Sequence, residues 1–151
     1  MKELHGTASA VVSAPLEKCV AMLAAIEAYP DWYPDGIREV ETLERDESGQ
    51  STKVRTRLHV EVAGFSRDFN LTMSVAVEPE DRVALRKLKA DSSDPPFDVI
   101  WRVSDSDGTL IELELDTALP VPRFMPIGGV GDSIAKSFVS AASEELTENN
   151  S

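Results

Sequence analysis

Cysteine occurs once in the 151 residues, as Cys19, and histidine twice, as His5 and His59. A lone cysteine excludes an intrachain disulfide and any cysteine-based zinc cluster, and it fits a reducing compartment. Two histidines on different segments do not make a ligand set, so no metal and no other cofactor is expected. Positive charge is scarce as well: 15 Lys and Arg stand against 27 Asp and Glu, a net charge of −12. Such a chain repels phosphate backbones and anionic membrane surfaces, so nucleic acid is not an expected partner. No stretch approaches the ~20 consecutive apolar residues of a membrane-crossing helix, and stable membrane insertion is not expected either. The first fourteen residues break their apolar character with Glu3, His5, Thr7 and Ser9, unlike a secretory signal, so the expected location is cytoplasmic.

What is present describes an ordinary globule: 42% apolar and 28% charged residues, with 9 Pro and 8 Gly scattered along the chain. That composition does not fit a disordered, collagenous or coiled-coil chain. A length of 151 residues predicts one domain with a sizeable core. We expect it to span residues 1–146, with 147–151 as a frayed tail, in a monomer or weak homodimer.

Alternation of apolar and polar residues is the dominant pattern. Leu4, Gly6, Ala8, Ala10 and Val12 mark a first half-buried strand, which Ser13-Ala14-Pro15 stops. Leu16, Cys19, Val20 and Leu23 then follow at helical spacing, with Pro15 suited to the helix start. Tyr29-Pro30-Asp31-Trp32-Tyr33-Pro34-Asp35-Gly36 concentrates prolines and aromatics and predicts a compact turn or short helix. After it come about six strands separated by short turns, hence antiparallel neighbours. Val54 to Val62 and Phe69 to Val77 alternate most cleanly, Arg82 to Lys89 most weakly, and Ala90 to Pro96 reads as a loop. Ile127, Val130, Ile134, Phe138 and Ala141 recur at helical spacing and predict a closing helix of ~20 residues.

One apolar sheet face and one long amphipathic helix must cover each other, so the fold class is α+β. A curved antiparallel sheet of about seven strands should grip the C-terminal helix, with one or two short helices after the first strand. Large residues on the sheet and small ones on the helix (Gly128, Gly129, Gly131, Ala135) predict an internal space near the aromatic turn and the Pro120 to Met125 segment.

Candidate ligand contacts follow from that geometry. Trp32 and Tyr33 join an apolar ring to a polar tip, which suits a cavity mouth, and they serve equally as a staple for the turn. Phe69, Met73, Phe97, Trp101, Phe124, Ile134 and Phe138 are candidate cavity walls, though any sheet-on-helix core needs such residues. Arg67 shares the parity of Phe69 and is a candidate for holding a ligand oxygen at the rim. His59 falls on the polar outer face, Asp31 and Asp35 read as turn residues, and no catalytic acid–base pair or Ser-His-Asp set can be assembled. Gly128-Gly129-Val130-Gly131 lacks the residues of a phosphate loop and is assigned to helix entry or close packing.

The order of these segments resembles the START-like, helix-grip superfamily, which includes polyketide cyclases, coenzyme Q-binding proteins and the birch-pollen allergens. The resemblance rests on Ser13-Ala14-Pro15, the helix Leu16 to Ile26, Glu27-Ala28-Tyr29-Pro30-Asp31-Trp32-Tyr33-Pro34, the strand Ile37 to Leu43, and Leu119-Pro120-Val121-Pro122-Arg123-Phe124 leading into the last helix. It covers essentially the whole chain and is most similar to the polyketide cyclase/dehydrase and lipid transport branch. The chain departs from the usual pattern at Ala25-Ile26, where many relatives carry an acidic residue. The resemblance implies binding or transport of a hydrophobic small molecule, such as a lipid, isoprenoid quinone or polyketide, between sheet and helix. It leaves open a polyketide cyclase or dehydratase activity, and a protein-interaction module of the ribosome-associated type. Truncating Trp101 or Phe138 is expected to cost ligand binding more than stability.

Overall fold

A computed structural model describes residues 2–62, 65–79, 81–87, 97–119 and 129–149. The elements in chain order are β1 (Lys2–Val12), α1 (Leu16–Ala24), a 3-10 turn (Ile26–Ala28), α2 (Tyr29–Trp32), β2 (Ile37–Arg45), β3 (Ser51–Val62), β4 (Phe65–Glu78), β5 (Arg82–Lys87), β6 (Phe97–Asp105), β7 (Thr109–Leu119) and α3 (Val130–Asn149). The weak strand thus forms over Arg82–Lys87. Its two further residues, the 90–96 loop, the Pro120 to Met125 segment, Phe124 and Gly128 lie outside the described residues. The helix predicted from Ile127 is described from Val130 and runs on to Asn149, so Thr147 to Asn149 continue it.

All seven strands form one antiparallel sheet in the order β1-β7-β6-β5-β4-β3-β2. Hairpins join β2 through β7 in sequence, and β1 pairs with β7 along its length, from Lys2–Leu119 to Val12–Thr109. Three register shifts interrupt β2 against β3. Such irregularities bend a strand and sharpen its twist, which curves this edge of the sheet.

Period-2 patterning decides which face is inner. Val54, Leu58 and Val60 of β3, Phe69, Leu71, Met73 and Val75 of β4, Val99 and Trp101 of β6, and Ile111, Leu113 and Leu115 of β7 are all buried. The intervening residues face outward and pair by charge, as in Lys53–Glu44, Arg57–Glu39 and Arg102–Glu114. Helix α3 lays Ala135, Phe138, Val139, Ala142 and Leu146 on the inner face. Each large side chain buried there contributes about 1.5–3 kcal/mol. The one buried polar group in the middle of β3, Thr56, donates its hydroxyl to the Leu71 carbonyl at 3.2 Å, so its burial leaves no unmet donor.

Two close approaches set where α3 begins. A Cβ built on Gly6 would run into the carbonyl of Gly131, and one on Gly131 would run into the backbone of His5. Backbone meets backbone at this point, and only glycine leaves the room. Of the glycine run at the helix start, Gly131 therefore serves contact with β1, while Gly129 takes a positive φ of 81° in open space. Asp132, one residue on, accepts the Thr7 backbone N–H at 3.1 Å and caps part of the β1 edge.

The N-terminal helices are tied to the sheet by side chains at their ends. Thr109 Oγ1 donates to the Ala14 carbonyl at 2.6 Å ahead of α1. Gln50 Nε2 donates to the Ala24 carbonyl at 2.7 Å where α1 ends, and Ser51 Oγ donates to Glu27 at 3.1 Å. Cys19 is fully buried in α1, and burial pushes its thiol pKa up, so it behaves as a small core residue. No helix among the described residues is long and apolar enough to cross a membrane.

Candidate functional site

The aromatic turn is anchored from below. Tyr29 is fully buried and its hydroxyl donates to the Leu23 carbonyl at 2.6 Å. Burial pushes its pKa up, partly offset by the nearby indole N–H of Trp101. From this anchor the rings run outward in a chain. Tyr29 and Trp32 lie 4.5 Å apart between centroids, Trp32 and Tyr33 6.2 Å, and Tyr33 and Phe138 of α3 4.5 Å. The segment therefore bridges α1 to α3 through ring contacts, each tilted or stacked in a favourable way. Gly36 is part of the same fit, because a Cβ there would collide with the Tyr33 ring.

Beside this bridge the sheet and α3 form an open cleft of about 870 Å³. Phe69 and Leu71 of β4, Phe97 of β6, Leu58 of β3, and Ile134 and Phe138 of α3 supply its apolar wall. Trp32, Tyr33 and the turn through Gly36 border it on one side, and the α3 hydroxyls Ser133, Ser137 and Ser140 on another. Its size falls within the range of small-molecule sites, and its lining divides between an apolar wall and a polar, charged rim.

Of the residues singled out from sequence, Trp32, Tyr33, Phe69, Phe97, Ile134 and Phe138 come together at this cleft. Met73 and Trp101 do not line it. Both are buried behind the wall, Met73 beside the Thr56 hydroxyl and Trp101 with no exposed surface. Arg67 is exposed and lies outside the cleft lining, with its guanidinium carbon 4.9 Å from the centroid of the Phe69 ring that it covers. Phe124 lies outside the described residues.

The polar groups at the cleft were not legible as a set. Asp35 comes from the turn, Arg38 from β2, His59 and Glu61 from β3, and Glu144 from α3. Alternation assigns Arg38, His59 and Glu61 to the outer face, yet they border the cleft for a local reason. The β2–β3 ladder starts at Ile37–Leu58, and the Gly36 carbonyl accepts the His59 backbone N–H at 2.7 Å. Beyond that bond β3 runs on without β2 beside it, so the cleft reaches these residues around the strand edge.

Protonation is skewed at Tyr33 in the lining and at Asp68 just outside it. Burial raises the Tyr33 pKa to about 12, with the Ser137 hydroxyl opposing and the Asp35 carboxylate adding to the rise. The phenol is thus held as a donor. His59 Nδ1 stands 2.6 Å from Asp68 Oδ1, and this bond, with the charges of His59, Arg57 and Arg38, holds the Asp68 carboxyl below its ordinary range. The indole N–H of Trp32 is buried and has no hydrogen-bond partner among the described residues.

Away from the cleft, on the outer face of β1 and β7, ligand atoms of His5, Glu114 and Asp116 lie within 4.8 Å of one another. His5 Nδ1 is 2.7 Å from Asp116 Oδ1, both side chains are more than half exposed, and this hydrogen bond raises the His5 pKa. The arrangement reads as a cross-strand ion pair beside a third acid.

Comparison with known proteins agrees with the topology. A START superfamily protein from Mycobacterium smegmatis superposes with a TM-score of 0.71 at 22% identity, covering 98% of this chain and 99% of that one. The Zhui aromatase/cyclase from Streptomyces sp. R1128 gives 0.58 at 24% identity, covering 98% and 88%. A STAR-related lipid transfer protein from Xanthomonas axonopodis gives 0.61 at 15% identity, covering 93% and 84%. No curated protein matches the chain in sequence. At these identities the superpositions establish the helix-grip fold, and a sequence profile establishes the rest of the classification. The profile described as polyketide cyclase / dehydrase and lipid transport matches residues 12–142, from the last residue of β1 into the second half of α3, and the chain belongs to that family.

Proposed function

We propose that this protein binds a hydrophobic small molecule, a lipid, isoprenoid quinone or polyketide, in the cleft between the sheet and α3, as a cytoplasmic carrier acting alone or as a weak homodimer. The observation that carries the reading is the cleft itself: about 870 Å³ walled by Leu58, Phe69, Leu71, Phe97, Ile134 and Phe138. Burial of apolar ligand surface there contributes ~25 cal/mol per Å². Two donors set the ligand's orientation. The Tyr33 hydroxyl, its pKa pushed up to about 12 by burial, is a donor at neutral pH, and the buried Trp32 N–H has no partner among the described residues, a place that a ligand oxygen would fill. In this reading Met73 and Trp101 support the wall from behind, and Arg67 shields Phe69 from solvent.

Native mass spectrometry of freshly purified protein, followed by organic extraction, tests it. A stoichiometric hydrophobic molecule released on extraction supports the carrier. A protein that is empty and stays empty after incubation with lipids, quinones and polyketides overturns it.

A cyclase or dehydratase reading is favoured by one observation, the protonated Tyr33 phenol facing the cleft beside Ser137. A phenol so placed donates a proton or a hydrogen bond to a ketone oxygen of a folded polyketide. Turnover of a polyketide substrate that is lost in Tyr33→Phe while binding persists would establish it.

A further inference from the structure

The charges around the cleft are unequal. Three exposed carboxylates line it, Asp35, Glu61 and Glu144, each from a different element. Arg38 is the one Lys or Arg among the described lining residues. His59 is bonded at 2.6 Å to Asp68, a carboxylate outside the cleft lining, so among the described lining residues Arg38 alone stands against the three carboxylates and the balance is negative. The chain segments 88–96 and 120–128 carry two basic residues, Lys89 and Arg123, and two acidic ones, Asp91 and Asp94, so their sum is neutral. The net charge of −12 adds a field of the same sign over the whole molecule.

From this arrangement we infer that the cleft discriminates by head-group charge: it takes an amphiphile whose water-facing end is a protonated amine, accepts an uncharged hydroxyl end less well, and disfavours a carboxylate. The apolar wall is indifferent to the end group, so the tail supplies affinity and the rim supplies selection. A carboxylate at the rim meets the surplus of exposed negative charge from Asp35, Glu61 and Glu144, a repulsion that salt screens, and an ammonium is attracted by the same surplus. Tyr33 reports the same field from inside, since Asp35 is among the groups that hold its phenol protonated. The inference rests on the proposed ligand-binding role of the cleft.

The test uses three probes with one tail: dodecylamine, dodecanol and dodecanoate, each measured by competition against the same fluorescent hydrophobic reporter at neutral pH. Dodecanol affinity serves as the reference. The expected result is one molecule bound per chain and an amine-over-carboxylate preference of about tenfold at low salt, shrinking as the salt is raised. In Glu61→Gln/Glu144→Gln the ratio of amine to carboxylate affinity, each scaled to dodecanol, falls toward one. The same change in total charge made on the outer face, Glu3→Gln/Glu112→Gln, leaves that ratio high, which separates the rim from the global field. Should the rim variant fold poorly, the single variant Glu144→Gln, at an exposed position of α3, replaces it and should lower the ratio part of the way, against no change in Glu112→Gln.

Dodecanol and dodecanoate bound equally well, or dodecanoate bound best, overturns the charge inference and leaves the carrier reading standing. A preference that responds equally to the rim and outer-face variants also overturns it. Failure of the reporter and of all three probes to bind overturns both, and a bound reporter that none of the three displaces overturns the charge inference alone.

Discussion

The Tyr33 ring meets the Phe138 ring at 4.5 Å between centroids with a 54° tilt, and this contact fastens the aromatic turn to the long helix. It is also a piece of the cleft wall, so stability and binding are joined at one point. Tyr33→Phe keeps the ring contact and removes only the hydroxyl. We expect its thermal midpoint to stay close to that of the unaltered protein while affinity for a keto- or hydroxyl-bearing ligand falls by about 0.5–1.5 kcal/mol. Phe138→Ala should lower both, with about 3–5 kcal/mol lost from stability, measured by denaturant unfolding.

Trp101 separates core from site. It is fully buried and does not line the cleft, so Trp101→Ala should cost about 3–5 kcal/mol of stability. A folded Trp101→Phe variant should bind ligand almost as the unaltered protein does. Unfolding curves beside ligand titrations read the two effects, and a large binding loss at full stability would move Trp101 into the wall.

Both tyrosines of the chain are raised by burial, Tyr33 to about 12 and Tyr29 higher still in direction. A raised acid binds its proton more tightly in the folded state. The unfolded chain therefore loses protons first as pH rises, and stability present below about pH 10 is lost progressively toward pH 12. Tyrosinate absorbance should stay flat through pH 10 and then rise together with unfolding. A smooth titration near 10 in folded protein would contradict the burial of both rings.

Gly6→Ala should be costly although the residue sits in a strand, where alanine is normally tolerated better than glycine. The added methyl meets the Gly131 carbonyl, and relief requires moving the start of α3. Overpacking of this kind costs about 1–3 kcal/mol. Because α3 covers the cleft, ligand affinity should fall as well, which calorimetry and ligand titration check.

His5 is raised by its hydrogen bond to Asp116, with Asp116, Glu114 and Asp132 charges adding to it. NMR titration of the imidazole should place its midpoint above the ordinary value of about 6.5, and Asp116→Asn should bring it back. The sign follows directly. What the pair adds to stability is present below the unfolded pKa and fades as pH rises through the folded one.

Much of the fold was written in local patterns. Alternation along β3 and β4 identifies Val54, Leu58, Phe69 and Leu71 as inner residues, and the burial of all four agrees. The aromatic turn and six of the cleft residues were visible for a related reason: large rings beside prolines or on an apolar face have few places to go. The polar rim was not visible. Period 2 sends His59 and Glu61 outward, and only the point where β2 stops pairing brings them to the cleft edge. Arg67 shows the opposite case, correct in parity with Phe69 yet outside the lining because its long side chain lies across that ring.

The sequence by itself determined the strands, the closing helix and the apolar face that each must bury, because those depend on side-chain periodicity within one segment. It also set the charge balance that any partner or ligand meets. Tertiary structure alone decided which charges gather at the cleft, which rings form its wall and which lie behind it. Those outcomes depend on the β2–β3 register, the glycine contact between β1 and α3, and the Tyr33–Phe138 packing, all of them relations between segments far apart in the chain.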